Sequence, residues 1–413
     1  MIIAGVDVGK SQHAVAAISE RGDVIMSSWL FNQDQEGFAN LFKGLERLGG
    51  PQEVIVGMEA TGRYWLPLRH ALAGRGYKVE GVNPIITSRE IGGDVRGRKT
   101  DRTDAVAIAT AILRKRHHPA PPEDADYDAL KSLTRHRTFI VRQRSNCKRG
   151  IHSALDVTFP EAEAAFGDLF SAGSLAVLKR YPSARLLAQA NLKTLGSIIA
   201  KASRRKQTAE KANAWREAAR KSVSVELVNE GDEMTLRSLI DLLLFQNEQV
   251  QKVDRHIAES PTPKAAVALG SIKGIGPRLS KSIAAEIGPL ERFHHTVSGK
   301  PPANMHKRVL AFAGSEPRIR ESGRWKGRTR ISKRGSPSLR TALWQAASMC
   351  RLHNPIFQQV YKKHIQRGKH HNVAIFYVVK KIIEVTCGMY KSDTLFDPSF
   401  NTQTAVNNYA ILR

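Results

Sequence analysis

Residues 5–9 read Gly-Val-Asp-Val-Gly and place one carboxylate, Asp7, inside an apolar run at the start of the chain. The run from residue 2 to residue 8 has the composition of a buried β-strand. An acidic residue in such a strand costs free energy unless it is paired or bound to a cation. Two more runs rich in Val, Ile and Ala follow at 13–19 and 23–31, separated by turn residues. The pattern predicts a meander of three strands with Asp7 in the first.

Helical and strand patterns alternate after the meander. An amphipathic stretch at 38–48 predicts a helix, and an apolar run at 54–58 predicts a strand. A second helix is expected at 65–73 and a strand at 78–82, followed by a last helix that Thr100 or Asp101 could cap. The order β-β-β-α-β-α-β-α predicts an α/β domain of the RNase H-like type.

Three more carboxylates occupy the ends of these predicted elements. Glu59 follows the strand at 54–58, and Asp101 and Asp104 lie three residues apart on one face of the last helix. An RNase H-like sheet brings these element ends to the same place as Asp7. Carboxylates without His or Cys suit Mg²⁺ or Mn²⁺, and two such ions can activate an attacking oxygen and stabilise a leaving one. A metal site with nuclease-type chemistry is therefore predicted at Asp7, Glu59, Asp101 and Asp104.

Each of these acids also has an ordinary structural explanation. Asp7 could form a turn, and Glu59 could lie on the surface. Asp101 could be the N-cap of a helix with Asp104 in its first turn. Taken singly, each explanation is at least as good as a metal ligand. Their joint occurrence in this order of strands and helices favours the metal site.

The composition points to a polyanionic partner. Lys and Arg number 64 against 38 acidic residues, which gives a net charge of +26 and a pI near 10.2. Nucleic acid is the first partner to consider, because cations that neutralise phosphates release counterions. A membrane surface is the alternative. No apolar run approaches the ~20 residues that span a bilayer, and the start lacks the basic leader of a signal peptide. A cytoplasmic protein is expected.

Proline-rich stretches divide the chain into three regions. The first stretch, at 118–122, ends the α/β domain, and a second boundary lies at Pro261 and Pro263. Between them, apolar residues recur at heptad-like spacing at 130–151 and 236–257, which predicts two long helices of coiled-coil type that could pair. The segment 158–232 is predicted as a helical insertion. The expected domains are 1–122, α/β; 123–260, a helical coiled-coil linker region; and 261–413, mostly helical.

A glycine-rich turn precedes a helix in the third region. Residues 272–277 read Ile-Lys-Gly-Ile-Gly-Pro, the pattern of a helix-hairpin-helix turn. Glycines before a helix let backbone amides approach a phosphate closely, although two glycines in a tight turn can also serve packing alone. The neighbouring cations favour phosphate contact. The predicted nucleic-acid ligands of the turn are Lys273, Gly274, Gly276 and Arg278.

A serine lies among cations in a basic loop at about 316–337. Ser322 is followed by Arg324, Lys326, Arg328, Arg330, Lys333 and Arg334. These cations could hold a scissile phosphate while a serine oxygen attacks it, but no His base lies within the motif. From chemistry alone a loop hydroxyl is the better interpretation, and the same stretch offers rival serines at Ser315, Ser332 and Ser336. The alternative interpretation is that these cations contact only backbone phosphates.

Several short motifs together resemble the DEDD transposases of insertion sequences. In the N-terminal part they are Asp-Val-Gly-Lys at 7–10, Met-Glu-Ala-Thr-Gly at 58–62, Val-Asn-Pro at 82–84 and Lys-Thr-Asp-Arg-Thr-Asp-Ala at 99–105. In the C-terminal part they are Ile-Gly at 275–276, Ala-Phe-Ala-Gly at 311–314, Glu-Ser-Gly at 321–323 and Ile-Ser-Lys-Arg-Gly at 331–335. The resemblance covers both ends of the chain.

The resemblance implies roles for individual residues. In this family the N-terminal domain is similar to the RuvC resolvase fold, a coiled coil links it to the transposase domain, and a structured bridge RNA selects target and donor DNA. Asp7, Glu59, Asp101 and Asp104 would hold the metal. Ser322 would form a transient phosphoserine bond to a DNA end while the carboxylate site of a partner subunit assists.

The resemblance leads to one expected function and two competitors. We expect RNA-guided DNA strand exchange by a homo-oligomer, dimer or tetramer, with Mg²⁺ or Mn²⁺, in a prokaryotic cytoplasm and associated with the nucleoid. One competitor is a RuvC-like hydrolytic junction endonuclease in which water attacks and Ser322 is structural. The other is a non-catalytic nucleic-acid-binding scaffold whose acids are structural.

Overall fold

The structure is a computed structural model. It describes residues 1–59, 64–82, 101–114, 118–119, 125–203, 208–224, 228–293, 304–318, 321–322, 325–326 and 330–398. The chain divides into two compact units, Met1–Pro122 and Glu123–Arg413. Each unit is described by itself. Among the described helices, none combines the length and the apolar character needed to cross a bilayer.

The first unit is built on a mixed six-stranded sheet with the order β3-β2-β1-β4-β5-β6. The strands are β1 (Ile2–Val8), β2 (Gln12–Ile18), β3 (Val24–Asn32), β4 (Val54–Glu59), β5 (Lys78–Val82) and β6 (His118–Pro119). The meander β1-β2-β3 is antiparallel, β4 runs parallel to β1, β5 runs parallel to β4, and β6 is antiparallel to β5. This mixed sheet is the arrangement expected of an RNase H-like domain.

In the described part of this unit, three helices cover the two faces of the sheet. They are α1 (Gln35–Glu46), α2 (Trp65–Ala73) and α3 (Asp101–Leu113), with a short 3₁₀ turn at Gly50–Gln52. The predicted order of strands and helices is confirmed. The exception is β6, which was not predicted, because its two residues lie in the proline-rich stretch that was interpreted as a boundary.

Alternation along β1 assigns each face to different helices. Ala4, Val6 and Val8 pack with the buried side chains of α1 and α2, such as Leu41 and Leu68. On the opposite face, Ile3 packs with Ile108 and Ile112 of α3. Since Asp7 has the same parity as Ile3, it lies on the face that α3 covers.

Two glycines let α3 lie directly on the backbone of the sheet. A Cβ atom on Gly5 would lie 2.0 Å from the carbonyl oxygen of Ala105 and 2.6 Å from the backbone nitrogen of Ala109. A Cβ atom on Gly57, the partner of Gly5 in β4, would lie 2.7 Å from Cγ1 of Ile112. No side chain therefore fits at either position without displacing the helix.

The second unit is helical apart from four very short strands among its described residues. Its helices up to residue 259 are α4 (Ala125–Thr158), α5 (Ala162–Phe166), α6 (Ala172–Arg180), α7 (Ala184–Ala188), α8 (Leu192–Ser203), α9 (Thr208–Arg220) and α10 (Glu230–Glu259). The remaining helices are α11 (Lys264–Gly270), α12 (Pro277–Ile287), α13 (Met305–Phe312), α14 (Pro337–His353), α15 (Pro355–Gln366) and α16 (His371–Ser392), with a 3₁₀ turn at Leu290–Phe293.

The two long helices α4 and α10 lie side by side and antiparallel. Arg137 Nη2 donates to Asp254 Oδ2 at 3.0 Å, and further along α4 the Cys147 thiol donates to the Leu239 carbonyl at 3.0 Å. Partner numbers fall on α10 as they rise on α4, which fixes the antiparallel sense. The pairing of these heptad-patterned helices is thus observed, whereas their supercoiling as a coiled coil stays a prediction.

The segment between these helices forms short helices, as expected of a helical insertion, and their core also includes Ile151 of α4 and Leu236 of α10. Phe166 of α5 lies against Trp215 of α9 with ring centroids 4.3 Å apart. Phe159, at the end of α4, is fully buried in the same cluster. A second core in the C-terminal part unites α11 to α16 around residues such as Ile283 and Phe357.

The basic loop expected at 316–337 contains secondary structure, which corrects that expectation. Its strands are β7 (Pro317–Arg318), β8 (Glu321–Ser322), β9 (Trp325–Lys326) and β10 (Arg330–Ile331). β7 pairs with β10, and β8 pairs with β9 between them, both antiparallel. Strands of two residues carry no readable alternation, so the sequence pattern could not reveal them.

Candidate functional site

Asp7 and Glu59 end neighbouring parallel strands. The register pairs Val6 with Met58, so the two acids occupy the next positions on β1 and β4. Adjacent strands lie about 4.8 Å apart. Asp7 follows Gly5 and Glu59 follows Gly57 by two residues, so both acids belong to the sheet face on which α3 lies. Both are partly buried.

The first turn of α3 lies at the same end of the sheet. Ala105 packs with Ala14, which is the partner of Asp7 on β2. The C-terminal half of the helix packs near Ile3, at the opposite end of β1. The helix therefore runs antiparallel to β1 and brings Asp104 to the end of the strand that carries Asp7. The Oδ1 atom of Asp104 is buried.

Asp101 is the first residue of α3, three positions before Asp104. Its backbone is helical, and its side chain lies outside the described residues. Residues three apart on a helix share a face. The backbone therefore places all four predicted acids on elements that end at one edge of one sheet face.

The predicted donor set has the chemistry that a divalent cation requires. Asp7, Glu59 and Asp104 offer hard oxygen ligands from three elements, and this chemistry fits Mg²⁺ or Mn²⁺. Among the described side chains, no three His, Cys, Asp or Glu residues are close enough together to form a metal-binding group. The structure thus brings the elements together, and the acids of β1, β4 and α3 share one end of the sheet without forming a closed three-ligand group.

Ser322 lies in the strand pair β8–β9, which stands between β7 and β10 in the sequence. We name this basic segment, residues 317–331, the serine hairpin. Ser322 is the last residue of β8 and pairs with Trp325 of β9. The two residues between them, including Arg324, lie outside the described residues, as do Arg328 and the side chains of Ser322 and Lys326. The backbone therefore puts this serine at the end of β8, in a strand pair that lies between β7 and β10 in the sequence.

The base of this hairpin is closed by backbone contacts. Lys333 N–H donates to the Gly314 carbonyl at 2.9 Å, and Ser332 N–H donates to the Glu316 carbonyl at 2.9 Å. A Cβ atom on Gly335 would lie 2.2 Å from the Phe312 carbonyl oxygen. The two ends of the basic segment are thus held together. Lys333 and Arg334 are exposed at this base, where they could contact phosphates.

A buried carboxylate fixes the far side of the hairpin base, and sequence analysis missed it. Glu286 of α12 accepts hydrogen bonds from Arg135 of α4, Nε to Oε1 at 2.6 Å and Nη2 to Oε2 at 2.9 Å. The Ser336 hydroxyl donates to Glu286 Oε2 at 2.7 Å. Burial acts to raise the pKa of Glu286, but the hydrogen bonds from Arg135 and Ser336 outweigh it and hold the pKa below its ordinary value.

The rival serines have structural roles. Ser336 is the N-cap of α14 and accepts a hydrogen bond from Leu339 N–H at 3.2 Å while it donates to Glu286. Ser332 accepts from Arg334 N–H at 3.3 Å within the turn. Ser315 is buried. These placements leave Ser322 as the serine that lies in the inner strand pair of the hairpin.

The two glycines of the helix-hairpin-helix turn have different surroundings. Gly274 has a φ of +106°, and a Cβ atom there would lie 3.0 Å from Cα of Cys350, so this glycine permits close packing on α14. Gly276 is the N-cap of α12, and a Cβ atom there would meet nothing within 4 Å. Lys273 and Arg278 are exposed beside it. Gly276 is therefore the position of this turn at which a phosphate has room.

Two family models match the chain. The DEDD transposase model of the IS110 type matches residues 4–160, and the model described as transposase IS116/IS110/IS902 family matches residues 266–362. The first match contains all four predicted acids, and the second contains the helix-hairpin-helix turn and the serine hairpin.

Relatives over nearly the whole length are proteins of insertion elements. A 44.8 kDa protein of insertion element IS116 from Streptomyces clavuligerus is 27% identical over 410 residues, which is 97% of this chain and 98% of that protein. A 42 kDa protein of IS900 from Mycobacterium paratuberculosis is 24% identical over 414 residues, 97% of this chain and 98% of that protein. Thermus thermophilus RuvC matches 29% of this chain and all of its own, with 18% identity and a TM-score of 0.23.

Proposed function

We propose that this chain, which belongs to the IS110-type family of insertion-element transposases, exchanges DNA strands through a covalent bond between Ser322 and a DNA end. The membership accounts for the DNA-cleaving activity and for DNA as the partner. The serine intermediate, the guide RNA, the metal ion and the oligomeric assembly are the proposed parts.

The observation that carries the proposal is the common location of the predicted acids. The carboxyl ends of β1 and β4 and the first turn of α3 meet on one face of the sheet, held there by Gly5 and Gly57. Asp7, Glu59, Asp101 and Asp104 would hold Mg²⁺ or Mn²⁺. A bound divalent cation supplies positive charge where negative charge develops on the oxygens of a reacting phosphate.

The serine step follows from the chemistry of a hydroxyl and a phosphodiester. Ser322 Oγ attacks phosphorus and loses its proton, the bond from oxygen to phosphorus forms, and the bond from phosphorus to one sugar oxygen breaks. The departing sugar oxygen takes up a proton. Attack on the phosphoserine by the hydroxyl of another strand reverses these changes, so the phosphodiester energy is kept and no external cofactor is consumed.

The surrounding cations bind and orient the DNA. Arg324, Lys326 and Arg328 follow Ser322 in sequence and would contact the oxygens of the scissile phosphate and its neighbours. Lys333 and Arg334 at the hairpin base would contact flanking phosphates. The amides at Gly276 with Lys273 and Arg278 would hold a more distant part of the backbone.

Guidance and assembly are proposed on the family resemblance. A bridge RNA would pair with target and donor DNA, and the carboxylate site of a second subunit would assist the serine. The net charge of +26 is sufficient to bind both nucleic acids. A homo-oligomer, dimer or tetramer, is the expected active form.

The proposal is tested by trapping the DNA adduct. Purified protein with its co-purified RNA is incubated with end-labelled donor DNA and Mg²⁺, and denaturing gels separate protein-linked from free DNA. Wild type should give a protein-linked band that Ser322→Ala abolishes and that the matched variant Ser332→Ala retains. Asp101→Ala should lower its yield by at least about a hundredfold, since a transition-state contact contributes this much.

Four results would contradict the proposal or parts of it. An adduct that persists in Ser322→Ala removes the nucleophile assignment. Cleavage without any adduct in wild type indicates hydrolysis by water, as in a junction endonuclease. Full activity after ribonuclease treatment would show that no guide RNA is needed. Absence of cleavage under all conditions would favour the non-catalytic nucleic-acid-binding scaffold.

A further inference from the structure

One long segment of the second unit carries positive charge without any carboxylate. Residues 322–383 contain fourteen Lys and Arg residues and no Asp or Glu. The first part of this segment is the serine hairpin with its base. The last part, the connection between α15 and α16, lies on a different element and has no role in the chemistry described above. The family match ends at residue 362, so the whole of this connection, residues 367–370, lies beyond it.

The connection is a tight turn between two packed helices. Gly368 has a φ of +72°, and Lys369 N–H donates to the His364 carbonyl at 3.1 Å. His370 is the N-cap of α16, and its Nδ1 accepts from Asn372 N–H at 3.2 Å. These hydrogen bonds fix the backbone, so the side chains of the turn project from a preformed surface.

Five exposed residues with basic side chains lie in this turn or in the last turns of α15 before it. We name them the turn patch: Lys362, Lys363, Arg367, Lys369 and His370. The N-terminus of α16, a helix of 22 residues, lies at the same place and adds the positive end of its dipole. Lysine and arginine side chains and a helix N-terminus together favour an anionic partner.

Three cations of the turn patch act on the same side chain, His364. Burial lowers the pKa of His364, and Arg367, Lys363, Lys369 and Lys380 each lower it further. Among the described residues, the charged groups that shift the pKa of His364 are these four cations. Glu384 is bound to Lys380 at 3.7 Å and Lys381 at 3.9 Å, and its position on α16 is about 20 Å along the axis from the first turn.

The aromatic rings at the turn are already in contact with other side chains. His364 stacks on Tyr377 with ring centroids 3.5 Å apart and planes inclined by 7°. The Tyr361 hydroxyl lies 2.8 Å from His371 Nδ1, and the Arg351 guanidinium lies 5.1 Å from the Tyr361 ring centroid. Single-stranded nucleic acid is held largely by bases stacked on open aromatic faces. This surface offers cations rather than open rings, which suits the phosphates of a duplex.

We propose that the turn patch binds the phosphate backbone of duplex DNA, as a contact surface additional to the serine hairpin and the helix-hairpin-helix turn. The inference rests on the proposed function in one respect, namely that DNA is the substrate. Contacts to phosphates carry no sequence information but set affinity and orientation. The patch would therefore hold DNA that flanks the cleavage site.

The test compares two variants of the full chain that lose the same charge. The patch variant carries Lys362→Gln, Lys363→Gln, Arg367→Gln and Lys369→Gln. The control carries Lys193→Gln, Lys201→Gln, Lys211→Gln and Lys221→Gln, four exposed lysines of the segment 193–221. Fluorescence anisotropy measures binding to a duplex of 40 base pairs, without divalent cation so that no cleavage occurs, over a series of KCl concentrations.

The patch variant should lose about 3.6 units from the slope of log affinity against log salt, because four phosphate contacts are lost and each contributes about 0.9. Its affinity near 0.1 M salt should fall by more than about tenfold. The control should lose less than about 1 unit of slope. A double variant, Lys363→Gln with Lys369→Gln, should lose about half as much as the patch variant, which separates local contact from damage to folding.

Two results would overturn the inference. Equal losses in patch variant and control show that only net charge matters. A loss for duplex RNA of the same length that exceeds the loss for duplex DNA assigns the patch to RNA. The proposed function fails if wild type forms no Ser322 adduct with DNA. That result comes from the cleavage assay and does not change the comparison of DNA binding between the two variants.

Discussion

Single residues decide which serine is available for chemistry. Four serines lie near the cations of the basic segment, and the sequence alone did not show which of them is the best candidate for the nucleophile. Ser336 caps α14 through a local hydrogen bond from Leu339 N–H, and its hydroxyl donates to Glu286, a contact that depends on tertiary structure. Glu286 and Arg135 are 151 positions apart, so no local pattern could pair them. The sequence therefore predicted the chemistry of this segment but missed the residue that braces it.

Glu286 should make stability depend on pH in the acidic range. Its pKa is lowered in the folded chain, so its contribution is present above the ordinary value of 4.5 and is lost as the pH falls through the folded value. Glu286→Gln should lower the free energy of unfolding by about 2 kcal/mol at pH 7, since two charge-assisted hydrogen bonds weaken and Arg135 is half exposed.

Thermal unfolding followed by circular dichroism at pH 7 and below pH 4.5 provides the check. The difference between wild type and Glu286→Gln should shrink as the pH falls. Glu217→Gln is the matched control, because Glu217 pairs with Arg220 on the surface at 2.9 Å and should contribute less than about 1 kcal/mol. A difference that grows towards acid pH would show that Glu286 is protonated in the native state.

At the scale of elements, glycines explain why α3 can bring its acids to the sheet. The apolar runs at 2–8 and 54–58 predicted β1 and β4, and the helical pattern predicted α3. The close approach at Gly5 and Gly57 could not be read from one sequence, because a glycine in a strand has several explanations. The strands of the basic segment could not be predicted either, because strands of two residues leave no periodic signal in the sequence.

Gly5→Ala should displace α3 and with it the first turn that carries Asp101 and Asp104. The added Cβ atom would lie 2.0 Å from the Ala105 carbonyl oxygen, so the backbone must move. We expect a loss of about 3 kcal/mol in unfolding free energy, at the upper end for an overpacked core, together with weaker binding of Mn²⁺.

Gly388→Ala supplies the contrast within a helix. This glycine lies in α16, and a Cβ atom there meets nothing within 4 Å. The substitution should raise stability by about 0.8 kcal/mol, the difference in helix propensity. Thermal unfolding of Gly5→Ala and Gly388→Ala measures both changes in stability. A Gly5→Ala protein as stable as wild type would show that α3 does not contact the sheet as described.

At the scale of the whole molecule, the charge pattern and the order of elements carried most of the prediction. The strand and helix order, the paired long helices and the family resemblance were all available from the sequence. The division of the chain into the domains 1–122, 123–260 and 261–413 stays a prediction. The turn patch was missed, because an exposed basic run is usually only a solvated surface and its arrangement around His364 depends on the packing of α15 against α16.

The central claim is that the acids at the end of β1, β4 and α3 hold a divalent cation, and Mn²⁺ binding to the full chain tests it most directly. Calorimetric titration should give binding to wild type that Asp7→Asn, Glu59→Gln and Asp104→Asn each weaken by at least about tenfold, as expected for loss of a ligand. Glu36→Gln, which removes an exposed acid of α1, should bind like wild type. Equal binding by all four variants and wild type would contradict the account.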